Sequence, residues 1–98
     1  MANEFAEVRD MREKFMRAVY DLKDPRSDAA PHEAIMRELG LDPDLSTPQG
    51  RDDTEQYDAI VRYWVQRGFI EHFTEAMVRI TALGIQYVEG DLVHTSRL

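Results

Sequence analysis

Apolar residues recur at spacings of three and four near the start of the chain. Phe5, Val8, Met11, Phe15, Val19 and Leu22 fall on one stripe, which predicts an amphipathic helix from Glu4 to Leu22. Glu7, Asp10, Glu13, Lys14, Arg17 and Asp21 take the solvated side. Arg12 falls inside the stripe, where a packed stem with a snorkelling head suits it, as does a salt bridge or a subunit contact. The polar run from Lys23 to Asp28 ends the helix, because Pro25 disfavours a helical Asp24. A short second helix is expected from Ala29 or Pro31 to Leu39. Gly40 closes it, and Leu41 folds back on Met36.

The stretch from Asp42 to Asp52 contains Pro43, Pro48 and Gly50 and reads as a loop. A third helix is expected to begin at Asp52 or Asp53, with the acid as its cap, and to run to Arg67 before Gly68. Tyr57, Ile60, Val61, Trp64 and Val65 make its inner face, and Phe69 is placed to pack on Trp64. After Gly68 the period changes from helical to alternating. Phe69 to Phe73 and Met77 to Ile80 read as two short strands joined through Thr74-Glu75-Ala76, with Ile70, Val78 and Ile80 facing the helices. Thr81 suits the N-cap of a last helix from Ala82 to about Glu89, closed by Gly90. This organisation is one domain over residues 1–90, followed by a polar tail from Asp91 to Leu98.

Composition narrows the classes. The 98 residues are 43% hydrophobic and 32% charged, the make-up of an ordinary globule. The longest uncharged run, Ile80 to Val88, is too short to span a membrane. Met1-Ala2-Asn3-Glu4 lacks the basic and then apolar run of a secretion signal, so a cytoplasmic protein is expected. No cysteine is present, which removes disulfides, thiolate metal sites and cysteine catalysis. Twelve basic residues against nineteen acidic ones give a net charge of −7, which argues against indiscriminate adhesion to nucleic acid or anionic lipid.

Two segments carry a family resemblance. Trp64-Val65-Gln66-Arg67-Gly68-Phe69-Ile70 resembles the exit of the third helix of a winged helix-turn-helix domain, where glycine precedes the apolar pair that starts the wing. Val78-Arg79-Ile80-Thr81-Ala82-Leu83-Gly84-Ile85-Gln86-Tyr87-Val88-Glu89 resembles the wing's return strand and the threonine-capped helix after it, as in small prokaryotic regulators. The resemblance implies an α+β, mostly α fold with a three-helix core, a β-hairpin wing and a short C-terminal helix. It also implies DNA binding through the third helix in the major groove. The turn before that helix, Leu41 to Asp52, is long for the family and carries two prolines.

On such a helix Glu55, Ala59, Arg62 and Gln66 face outward, flanked by Gln56 and Tyr63. Arg62, Gln66 and Gln56 suit base edges. Arg51, Arg67 and Arg79 complete the candidate contact set. Asp52, Asp53, Glu55 and Asp58 oppose phosphates at the end that would enter the groove, and the wing tip offers Glu75 without a basic residue. Duplex DNA is therefore the first expected partner, through a possible homodimer, and a protein is the alternative. For the second, Tyr63, Phe73 and Met77 are candidate anchors, although Phe73 fits a core position behind the hairpin better. The dimer rests on Met11, Phe15, Met16 and Tyr20, an apolar arc wider than one core needs.

Other chemistry is poorly supported. Asp42, Asp44, Ser46, Pro48, Gly50 and Asp53 follow the spacing of a calcium loop, but Thr47 stands where glycine is required and Asp53 where a bidentate glutamate is required. These acids read as turn and cap residues. His32, His72 and His94 show no metal-type spacing. No nucleophile elbow, phosphate-cradling glycine loop or dinucleotide fingerprint is present. A cofactor-free protein without enzymatic activity is expected.

Overall fold

The N-terminal stripe forms the helix that its spacing predicts. In a computed structural model, which describes residues 4–92, α1 spans Glu4–Leu22. Phe15, Met16 and Val19 are fully buried on it, and Phe15 meets the ring of Tyr57 edge-on at 5.7 Å. The Phe5 side chain, His94 and the tail from residue 93 onward lie outside the described residues.

A strand follows where a helix was expected. β1, Ala29–Pro31, pairs antiparallel with a later strand, so α2 begins only at His32 and runs His32–Glu38. Local sterics leave the segment extended and open to that pairing. Pro31 disfavours the helical conformation at Ala30, and Asp28 turns the chain with a φ of +58°. Both extended alanines are then buried. The other end of α2 is as predicted: Gly40 has a φ of +76°, and the Leu41 N–H donates to the Met36 carbonyl at 2.8 Å.

The third helix, α3, spans Pro48–Gln66, so it starts earlier than Asp52 or Asp53. Thr47 is its cap, its hydroxyl oxygen accepting the Gly50 N–H at 2.9 Å. Pro48 occupies the first turn, where a missing N–H costs nothing. Asp53 lies buried inside the helix and is not a cap. Its carboxylate accepts the Asp42 N–H at 2.8 Å and the Gln49 amide at 2.8 Å, which staples the preceding loop to α3. Asp42 and Asp44 each accept an N–H two residues on, the turn role expected of them. Gly50 allows this approach, since a Cβ there would sit 1.7 Å from the Asp44 carbonyl oxygen.

β2, Ile70–Thr74, and β3, Met77–Ile80, form the expected hairpin, and β1 adds to its far edge in the order β1-β3-β2. Ile70, Val78 and Ile80 are buried toward the helices, as alternation requires. Phe73 departs from expectation. The register slips between His72 and Thr74, which leaves Phe73 opposite no residue of β3 and 44% exposed instead of in the core.

α4, Ala82–Gln86, is capped by Thr81 and continues into a π-helical stretch, Tyr87–Leu92. Gly90 therefore does not close it, and Asp91 and Leu92 belong to this stretch and not to a tail. Thr81 also ties α4 back to the exit of α3. Its hydroxyl donates to the Gly68 carbonyl at 2.6 Å and its N–H donates to the Phe69 carbonyl at 3.0 Å. The described residues thus form a mostly helical α+β fold with one antiparallel sheet. The core uses Phe15 and Met16 completely. Met11 and Tyr20, the other two residues of the apolar arc on α1, are half-buried.

A Cβ on Gly84 would lie 2.2 Å from the Phe69 carbonyl oxygen, whereas one on Gly90 meets nothing within 4 Å. Gly84→Ala is expected to cost about 2 kcal/mol or more, because backbone must move, and Gly90→Ala to stay within about 0.5 kcal/mol. Urea unfolding midpoints compare the two.

Candidate interaction face

Because α3 buries Tyr57, Ile60, Val61 and Trp64, helical geometry turns Arg51, Glu55, Ala59, Arg62 and Gln66 outward, and all five are exposed. Glu55, Ala59, Arg62 and Gln66 stand on the outward side that the spacing predicts. The residues proposed as one contact set nevertheless separate into distinct environments.

Arg62 lines a groove of about 570 Å³ between α3 and the hairpin, together with Asp58, Val61, His72, Phe73, Thr74, Glu75 and the first residue of α2, His32. Among the described residues Arg62 is the sole fixed cation there, against the carboxylates of Asp58 and Glu75. Arg79 does not contribute a free charge. It sits on β3 directly opposite Glu71 on β2 and forms a salt bridge with it, its Nε donating to the carboxylate at 2.7 Å. Gln66 and Arg51 stand exposed on the stripe, whereas Gln56 borders a cleft of about 150 Å³ with Val8, Met11 and Ile60. Met77 is half-buried at the hairpin.

Tyr63 and Arg67 belong to the opposite flank of α3. The Arg12 guanidinium lies 3.7 Å from the centre of the Tyr63 ring and that of Arg67 lies 3.8 Å from it. Two guanidinium groups that close cannot share one face without clashing, so they cover the two faces. Arg12, anomalous in the apolar stripe, thus has its head on an aromatic ring, without a carboxylate partner among the described residues. Its carbonyl also accepts the Trp64 indole N–H at 3.1 Å.

His32 was not among the sequence candidates, because nothing local marks it. The fold places it where three elements meet. Its N–H donates to the Ala76 carbonyl at the hairpin turn at 2.8 Å, and its Nδ1 lies 2.6 Å from the Tyr57 hydroxyl. Burial pushes its pKa below the ordinary histidine value, and His72 across the groove pushes the same way, while Asp58 opposes. Burial raises the Tyr57 hydroxyl above its ordinary value, so the phenol keeps its proton. The imidazole tautomer sets which of the two groups donates in this hydrogen bond.

No protein-family model, curated protein or solved structure matches the chain. Among the described residues no helix is long and apolar enough to cross a membrane, and no group of three or more histidine or acidic side chains is arranged to hold a metal ion.

The lowered pKa of His32 has a defined consequence for stability. Above about pH 6.5 the ring is neutral both folded and unfolded. As pH falls through that value the unfolded chain takes up a proton that the folded chain refuses, so stability falls until the folded pKa is reached. The urea midpoint is expected to drop between pH 7.5 and pH 5.5, and to drop less in His32→Gln, which keeps a hydrogen-bonding group but does not titrate.

Proposed function

We propose that this chain is a cytoplasmic, non-enzymatic binding module of winged helix-turn-helix type, and that the face made by α3 and the β2–β3 hairpin docks a protein partner. The order α1-β1-α2-α3-β2-β3-α4, with α3 leading directly into the hairpin, supports the architecture. Charge supports the protein partner. Over α3 and the hairpin Arg79 is neutralised by Glu71, Arg67 is stacked on Tyr63, and Arg62 lies beside Asp58 and Glu75. Such a face provides little of the counterion release on which duplex binding depends. An exposed aromatic, Phe73, beside Val61 and within a rim of mixed charges, has the make-up of a protein contact.

Duplex DNA is the second reading. It is favoured by one observation, the exposure of Arg51, Arg62 and Gln66 along the outward stripe of α3.

Fluorescence anisotropy with a labelled mixed-sequence duplex across a salt series separates the two. The protein reading expects no saturable binding at the lowest salt. Saturable binding that weakens as salt rises reassigns the face to DNA. A photo-crosslinking residue at position 73 or 62 is expected to capture the same protein, and one at exposed Arg17 to miss it. Phe73→Ala should then weaken that complex by about 1 kcal/mol or more, while changing stability by less than about 0.5 kcal/mol.

A further inference from the structure

The flank of α3 away from the hairpin groups positive charge in an acidic protein. Arg9 and Arg12 of α1 line a cavity of about 470 Å³ with Tyr63 and Trp64 of α3, and Arg67 covers the other face of Tyr63. Lys14, Lys23, Arg37 and Arg79 each have a carboxylate partner. Arg9, Arg12 and Arg67 have none within salt-bridge distance among the described residues, as is also true of Arg17, Arg26, Arg51 and Arg62, but these three gather around one aromatic ring and its cavity. Among the described residues Glu13 is the one acid lining the cavity.

We propose that this cavity is an oxyanion site that binds a small phosphate-bearing molecule through Arg9 and Arg12. Three physical features support it. Stacking on Tyr63 occupies the flat face of the Arg12 guanidinium and leaves its in-plane N–H donors free. The stack also fixes that fork before any ligand arrives, so less rotamer freedom is lost on binding. Finally, the two guanidinium groups reach one cavity from successive turns of α1, an arrangement suited to a tetrahedral dianion, whereas a single fork already satisfies a planar carboxylate. The faces of Tyr63 are covered by arginine, and Trp64 is stacked on Phe69 at 5.3 Å, so the site recognises charge and not a stacked base. This assignment is independent of which partner occupies the α3–hairpin face.

Trp64 is the chain's single tryptophan and lines the cavity, so its fluorescence reports occupancy. The experiment titrates the full chain with inorganic phosphate and with pyrophosphate at constant ionic strength, using sodium chloride and acetate as controls. A saturable change is expected with the phosphates and not with the controls. Arg9→Gln, at an exposed position that leaves the core untouched, should weaken it at least about fivefold. Arg26→Gln, at an exposed arginine outside this cavity, should leave it unchanged. Glu13→Gln should tighten binding, a gain that loss of structure cannot imitate. Equal responses to phosphate and acetate, insensitivity to Arg9→Gln, or weaker binding in Glu13→Gln would overturn the proposal. A larger response to duplex DNA than to pyrophosphate at equal phosphate concentration would overturn its assignment to a small ligand.

Discussion

Burial of Trp64 is the constraint on which the remaining structure depends. The indole N–H donates to a carbonyl of α1, one ring face stacks on Phe69 at the start of the hairpin, and Tyr87 of the terminal π-helical stretch packs against it at 5.3 Å. A large aromatic so placed removes much apolar area from water and satisfies its one polar atom. It therefore fixes α1, α3, the hairpin and the C-terminal segment with respect to one another. Thr81 and Gly84 complete the joint. One ties the backbone of α4 to Gly68 and Phe69, and the other lets the two backbones approach more closely than any side chain would permit.

This joint orients both surfaces to which function is assigned. With the inner face of α3 committed to Trp64, Tyr57 and Ile60, one flank of the helix turns to the hairpin and the other to α1. Arg62 and Tyr63 are adjacent in sequence yet face different cavities, because successive helical residues are rotated by about 100°. The hairpin side carries mixed charges and an exposed aromatic at a bulge. The α1 side is cationic and lined by aromatic rings. Two neighbouring surfaces of different character on one small domain suit two different ligands.

His32 couples the hairpin groove to the core. It meets the hairpin turn through its backbone, Tyr57 through its ring, and the groove through its exposed edge. Protonation of that ring would place a charge in a half-buried position next to His72. Any partner that occupies the groove meets a wall whose charge depends on pH, an ordinary consequence of burying an imidazole.

Local periodicity was sufficient for α1, for the inner and outer faces of α3, for the hairpin and for the threonine-capped α4, because each is a pattern of period 3.6 or 2 with a recognisable cap. The glycine-terminated ends at Gly40 and Gly68 were legible for the same reason. Features that depend on distant partners were not. β1 is a strand because β3 offers it an edge, and Ala29 and Ala30 carry no alternation that would reveal it. Asp53 resembles a cap in sequence and becomes a buried staple only because the Asp42 N–H lies beside it. Phe73 reads as core until the register slip turns it outward. The sequence determined which side chains seek the interior and where helices stop, since these follow from spacing and backbone sterics. Only the tertiary structure decided that Arg12 lies on Tyr63 and that His32 faces His72, since pairs so far apart along the chain meet only when the core closes between them.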